Sequence, residues 1–219
     1  LAGARAAAGT STTLLPINLG GLGFLTVADS ARIEPALKSA LGGKWPIVPR
    51  RLLSALVRRR GRTLSRGVAM NDVVIKGAGG LAAVHHKMAA PGNELGHLLA
   101  DGLIAATAAG STAYSLSAGG PLLAPDVEAM VGTPVCPHSL GSRALVLAPG
   151  AELELTVLGS FDRVTLLFDG QESVDLLPRD EVRVRLDRTA VRMFQNPGQP
   201  FVRSLQKKLG WQGSKKRSL

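Results

Sequence analysis

Several short stretches of the chain gather residue types that could do chemistry. The longest runs from Asp101-Gly102-Leu103-Ile104 into Ala109-Gly110-Ser111-Thr112-Ala113-Tyr114-Ser115-Leu116-Ser117 and ends at Gly119-Gly120-Pro121. It reads as a strand entering a loop and then a short helix, with Ser111 or Thr112 as cap and Gly119-Gly120 as stop. Small residues let a ligand lie on the backbone, and free amides at a helix start favour phosphate or ribose oxygens. The same spacing also suits a tightly packed turn. Asn71-Asp72, at the start of an apolar strand, sets an amide beside a carboxylate, a pair that can bond sugar hydroxyls or an amino group. Asp at a strand end is also a common turn former. Cys136-Pro137-His138 suggests a nucleophile and base, but near-adjacent residues do not orient that way, and the proline favours a structural loop. His85 and His86 point to opposite faces of a strand and cannot chelate one metal ion; surface or hydrogen-bonded histidines are expected, and His97 is isolated. Asp169-Gly170-Gln171 reads first as a hairpin turn.

The elements that must position these residues change character along the chain. The Ala-rich opening Leu1–Ala8 predicts a helix already in progress, which suggests a fragment of a longer polypeptide. Residues 12–18 read as one short buried strand running into the glycine-rich turn 19–24, and Ala31–Leu41 as a helix stopped by Gly42-Gly43. From Trp45 onward the runs are β: Leu52–Arg59, Leu64–Lys76, Leu81–Met88, Leu95–Thr107, Arg143–Leu147, Glu152–Leu158, Arg163–Phe168 and Glu181–Leu186. Phe201–Leu209 returns to helical spacing.

Composition excludes several classes. Of 219 residues, 45% are apolar, enough for a sizeable core. One cysteine excludes a disulfide scaffold and a Cys-based zinc site. No window of about 20 residues is continuously apolar, and no signal-peptide pattern opens the chain, so no membrane span and a reduced, cytoplasmic setting are expected. The formal net charge is +10. Residues 44–66 and 188–219 carry 16 of the 26 bases and no acid, so the remaining body is mildly acidic. Solvated basic faces are expected there. With aromatics at only 4%, nucleic-acid binding is the weaker reading.

Taken together, INLGGLGFLT (17–26), MNDVVI (70–75), DGLIAATAAGSTAYSLSAGGPLLAP (101–125), CPHSLGSRALVL (136–147), DGQ (169–171) and LQKKLGW (205–211) closely resemble the bacterial NAD kinase family, in family order and over nearly the whole chain. The resemblance implies an α+β protein. A partial N-terminal α/β, Rossmann-like domain would cover residues 1–46, together with a returning tail at 197–219. A C-terminal β-sandwich-like domain would cover 47–196. It implies phosphoryl transfer from ATP, or from polyphosphate, to the adenosine ribose 2′-hydroxyl of NAD, assisted by a divalent cation such as Mg²⁺. It also implies a homo-oligomer, commonly a dimer or tetramer.

Residue by residue, the resemblance assigns NAD binding to Phe24, Asn71, Asp72, Asp101, Thr112, Ala113, Tyr114, Ser115, Leu116, Ser117, Asp169 and Gln171. The aspartate of the family's Gly-Gly-Asp-Gly block is expected just upstream of Leu1, so no catalytic residue is assigned within the chain and the chain by itself is expected to be impaired in catalysis. The sequence departs from the family at Gly21, near Ala83, at Leu99, and at Ala108-Ala109, where Pro-Thr is usual. Each departure removes a possible phosphate or ribose contact worth on the order of 1.5–3 kcal/mol. A non-catalytic dinucleotide-binding module and a related lipid kinase are the alternatives.

Overall fold

The structure, a computed structural model, describes residues 1–20, 24–77, 83–90, 92–160 and 163–210. Helix α1 (Ala2–Ala6) and strands β1 (Thr13–Leu14), β2 (Ile17–Asn18) and β3 (Ala28–Asp29) lead to helix α2 (Ile33–Leu41). Strands β4 (Ile47–Arg59), β5 (Arg62–Ala69), β6 (Asp72–Gly77), β7 (Val84–Ala90), β8 (Asn93–Ala100) and β9 (Gly102–Thr107) follow. After the one-turn helix α3 (Tyr114–Ser117) come β10 (Met130–Val135), β11 (Leu145–Leu147), β12 (Glu152–Ser160), β13 (Val164–Phe168), β14 (Glu172–Leu176) and β15 (Glu181–Phe194), then helix α4 (Phe201–Lys208).

The α+β expectation holds. Two sheets stack face to face: a seven-stranded sheet in the order β5-β4-β15-β12-β7-β8, with β1 added on β15, and a six-stranded sheet in the order β11-β10-β9-β6-β13-β14. Their facing sides share one core, with Leu53, Val57, Leu153 and Val182 from the first sheet meeting Val73, Ile75, Met130 and Leu166 from the second. A smaller core joins Ala4 of α1 and Ala7 at its C-terminal cap to Leu52, Met70, Ala109, Val191 and Met193. The α1 helix thus docks on the sandwich through its alanines. β1 pairs in parallel with the far end of β15, Thr13 opposite Arg192, so the N-terminal stretch is hydrogen-bonded into the larger sheet. At the other end α4 folds back: Lys208 Nζ lies 4.8 Å from the Phe24 ring centroid, and Asn196 Nδ2 donates to Val27 O at 2.9 Å. Among the described residues no helix is long and apolar enough to cross a membrane.

Three departures from the sequence expectations have physical causes. The single strand expected over 12–18 is two, because Pro16 has no N–H to continue a ladder; its carbonyl accepts from Val27 N instead. The apolar runs 64–76 and 95–107 each split into two strands in different sheets, at Met70-Asn71 and at Asp101. β9 is buried at every position and β6 over Asp72–Ile75, so hydrophobicity carries no alternation that could mark the crossing. β10 was not expected because Gly132 and Pro134 sit within it. β14 was not expected either, and β15 runs on to Phe194 through an irregularity between Leu186 and Ala190.

Candidate functional site

In the six-stranded sheet β9, β6 and β13 lie side by side. Their antiparallel registers, Asp72 opposite Ala106 and Phe168 opposite Val73, bring three turns to one edge. These are the turn entering β6 (70–72), the turn leaving β9 (107–113) and the turn leaving β13 (169–171). Thr107 staples the first two: its Oγ1 donates to Met70 O at 2.8 Å and accepts from Gly110 N at 2.9 Å, while its N–H donates to Asn71 O at 2.9 Å. Gly110 rests on the Asn71 backbone so closely that a Cβ would overlap the Asn71 carbonyl.

Asp169 staples the third turn. Its carboxylate accepts from the backbone N–H of Asn71 (2.7 Å), Met70 (3.0 Å) and Asp72 (3.3 Å) and from Arg5 Nη1 (2.9 Å). Its own N–H donates to Asp72 O at 2.9 Å. With Asp169 at φ +51° and Gly170 at +67°, the two form the expected tight hairpin turn, closed by Gln171 N donating to Phe168 O. The Asp169 side chain is fully enclosed, so its carboxylate faces the protein, not a solvent-filled pocket. Gln171 is exposed beside it.

Asn71 and Asp72 are left with unused capacity. Asn71 Oδ1 is buried without a hydrogen-bond partner. Asp72 is 6% exposed, and among the described residues no hydrogen bond reaches its carboxylate. Burial, and then the nearby charge of Asp169, push the Asp72 carboxyl up to about 6. A buried acceptor pair of this kind lacks donors, and the hydroxyls of a sugar supply donors.

The loop after β9 divides into support and surface. Ser111 Oγ donates to Ala108 O and accepts from Leu123 N; Thr112 Oγ1 donates to Ala109 O; Ser115 Oγ is buried against Thr133 Oγ1 at 2.8 Å. Neither Ser111 nor Thr112 caps α3 as expected. Residues 110–112 form a 3-10 turn that sets their hydroxyls over preceding carbonyls. Tyr114 and Ser117 are exposed, and Ala113 and Leu116 are half-buried. Ala108 and Ala109 are buried, Ala109 within the smaller core.

Other expected site residues lie further off. Phe24 sits under α4, although Leu25 beside it packs on the core that holds Met70 and Ala109. Asp101 is exposed at the opposite end of β9, where its carbonyl accepts from Gly77 N; six residues of strand separate it from Thr107 by about 20 Å. Of the departures, Leu99 is exposed on β8, Ala83 is half-buried, and Gly21 lies outside the described residues.

The remaining motifs resolve differently. Cys136 is exposed, and no hydrogen bond joins it to His138 among the described residues. His97 is not isolated: its Nδ1 lies 3.2 Å from His85 Nε2. His86 is wholly buried with neither ring nitrogen partnered, so it is neither a surface nor a hydrogen-bonded histidine. In the first basic segment, Arg51 pairs with Glu128 and Arg59 with the buried Asp180, and half-buried Arg50 donates to Pro125 O. That segment is therefore partly internal wiring, not a single solvated face. Sequence reasoning missed Arg5, a lone base on an alanine helix, and the stapling roles of Thr107 and Gly110.

Comparison with known proteins gives the family. Residues 70–195 match a family model described as the ATP-NAD kinase C-terminal domain. The NAD kinase of Desulforamulus reducens is 37% identical over 210 residues, covering 95% of this chain and 73% of that protein. The NAD kinase of Symbiobacterium thermophilum is 38% identical over 196 residues, covering 90% and 69%. Among solved structures, yeast NADH kinase complexed with NADH superposes with a TM-score of 0.89 at 28% identity. The match covers all of this chain and 65% of the yeast one. An NAD kinase from Archaeoglobus fulgidus in complex with ATP superposes with a TM-score of 0.77 at 25% identity, covering 90% and 74%. Fold and relatives together define a nucleotide-binding phosphotransferase. The chain belongs to the NAD kinase family.

Proposed function

We propose that the edge formed by Asn71, Asp72 and the 107–117 loop holds the adenosine ribose of NAD for phosphorylation of its 2′-hydroxyl by ATP (or polyphosphate). The observation that carries this reading is the buried, unpartnered Asn71 Oδ1 beside the buried Asp72 carboxylate, to which no described residue donates a hydrogen bond, on a turn pressed against Gly110. The NADH and ATP complexes of the similar structures support it. In the transfer the ribose 2′-oxygen bonds the γ-phosphorus, the bond to the β-bridging oxygen breaks, ADP leaves, and the hydroxyl proton passes to a base. The resemblance gives the base role to the aspartate of the Gly-Gly-Asp-Gly block. Asp72 and Asn71 bind and orient the ribose.

Among the described residues no three His, Cys, Asp or Glu side chains gather to hold a metal ion. Mg²⁺ is commonly held through substrate phosphates with few protein ligands, so in this proposal it travels with the phosphates of ATP, and the chain's residues are assigned no step through it. The proposal includes assembly as a homodimer or homotetramer: Asp101 is too far from Asn71 for both to reach one ribose within a single copy, so a second copy would bring it to the dinucleotide. A cytoplasmic setting fits the single exposed thiol of Cys136.

The test is calorimetric titration with NAD and NADP, combined with an assay of NADP formation from NAD, Mg²⁺ and either ATP or polyphosphate. Binding that weakens about tenfold or more in Asn71→Ala is expected from the loss of a buried ligand hydrogen bond. Wild-type affinity in Asn71→Ala removes the site from Asn71. Binding without turnover by the protein in its full-length form favours the non-catalytic module.

A further inference from the structure

We propose that Arg5 and Asp169 are positioning residues for nucleotide binding: Arg5 of α1 holds the Asp169 carboxylate, Asp169 holds the backbone of the Asn71–Asp72 pair, and the pair is therefore formed only while α1 is docked. The proposal rests on the reading of Asn71–Asp72 as the ribose site.

Three consecutive amides, of Met70, Asn71 and Asp72, converge on one carboxylate. Strand backbone cannot do this, because successive N–H groups of a strand point to opposite sides. The convergence therefore holds the chain in the curl that separates β5 from β6 and gives Asn71 and Asp72 their unpartnered acceptors. Asp169 also donates its own N–H to Asp72 O, so the pair is clamped from both polarities. A fully enclosed carboxylate needs a counter-charge, and Arg5 supplies it from a side chain that is 11% exposed. The other arm of the Arg5 fork reaches Glu172 Oε1 at 3.0 Å, and its Nε is buried without a partner. The fork is fixed at both ends, which a lysine could not reproduce. Ala4 and Ala7 pack against Met70 and Ala109 on their own account, so α1 has an apolar anchor that survives loss of the Arg5 charge.

The charged neighbours of Asp72 set the sign of its titration in each variant. Asp169 faces it directly, and Arg5 and Glu172 lie beyond Asp169. Removing the negative charge in Asp169→Asn should move the pH midpoint of NAD binding to lower pH. Removing the positive charge in Arg5→Gln should move it to higher pH. Both variants should weaken NAD binding about tenfold near neutral pH, as loss of a charge-assisted contact does, and Arg5→Lys should recover part of the Arg5→Gln loss.

The experiment is calorimetric NAD binding across pH for the wild type and the three variants, with thermal melts to establish that each is folded. Weaker NAD binding in folded Asp169→Asn and Arg5→Gln, partly recovered in Arg5→Lys, with faster amide exchange confined to residues 70–72, supports the latch; the opposite midpoint displacements show that both charges act on Asp72. Folded Asp169→Asn and Arg5→Gln proteins with the wild-type affinity and midpoint overturn it. If the wild type itself binds no NAD, the ribose reading fails. The latch is then judged by amide hydrogen exchange at residues 70–72: faster exchange in Arg5→Gln supports it, and unchanged protection overturns it. Should either variant fail to fold, Glu172→Gln, which loosens the exposed arm of the same fork, takes its place, and the same exchange at residues 70–72 decides.

Discussion

Asp72 is a carboxyl whose surroundings favour its neutral form, and that sets a cost on folding which a ligand can relieve. Its ordinary value of 3.8 is raised to about 6 by burial and by Asp169. The folded protein keeps a proton that the unfolded chain releases. Stability therefore falls as pH rises from about 4 to about 6 and stays reduced above that, by about 3 kcal/mol for this group. Asp72→Asn should raise the melting temperature near neutral pH by several degrees and weaken NAD binding at the same time. A lower melting temperature at neutral pH would show that the carboxylate is satisfied after all. The same group gives binding its pH dependence. The ionised form accepts from a ribose hydroxyl, so NAD affinity should rise as pH passes upward through about 6 in the wild type and stay flat in Asp72→Asn, as titrations at several pH values would read.

Three neighbouring strand ends form the site, and their contact is backbone on backbone. At Gly110 a Cβ would strike the carbonyl oxygen, carbonyl carbon and Cα of Asn71, none of which can rotate away. Gly110→Ala should cost about 1–3 kcal/mol in denaturant unfolding and abolish measurable NAD binding, because the shift falls on Asn71 itself. In Gly3→Ala the new methyl meets nothing within 4 Å on helix α1 and should stabilise by about 0.5–1 kcal/mol. A neutral Gly110→Ala would mean the two turns are not pressed together. This contact also marks how far the sequence could be read. The glycine-rich loop, Asn71-Asp72 and the hairpin at Asp169 were legible as turn chemistry, and the family blocks tied them to one site. The break between β5 and β6 was not, because Val68-Ala69-Met70 and Val73-Val74-Ile75 flank it on both sides, and β6, buried over Asp72–Ile75, carries no alternation to mark the crossing. Arg5 was not legible either: a single base on an alanine helix looks solvent-facing until a carboxylate 164 residues away is placed against it.

Across the whole molecule a second buried titratable group opposes the first. His86 is enclosed in the sandwich with both ring nitrogens unpartnered, and burial, reinforced by His85, lowers it from 6.5 to about 4. Here the unfolded chain takes up the proton that the fold refuses, so stability is lost as pH falls from about 6.5 toward 4. The Asp72 window runs the other way over nearly the same range. Calorimetric melts of the wild type should therefore show little net slope from these two groups between about pH 6 and 4. Asp72→Asn should become acid-labile and His86→Leu should gain stability on acidification; identical slopes in all three proteins would sink the assignment of both groups. The charge pattern of the sequence foreshadowed none of this, because both groups lie outside the two basic segments. The latch at Arg5 has one more consequence, in time. Thr13 pairs with Arg192, and Arg5 closes on Asp169. During synthesis the Arg5 latch waits for a carboxylate 164 residues further along, and β1 waits for a strand that is made later still. Sheets that need such distant closures form late, so the proposed ribose site is assembled among the last parts of the fold, after the sandwich that supports it has enough strands to stand.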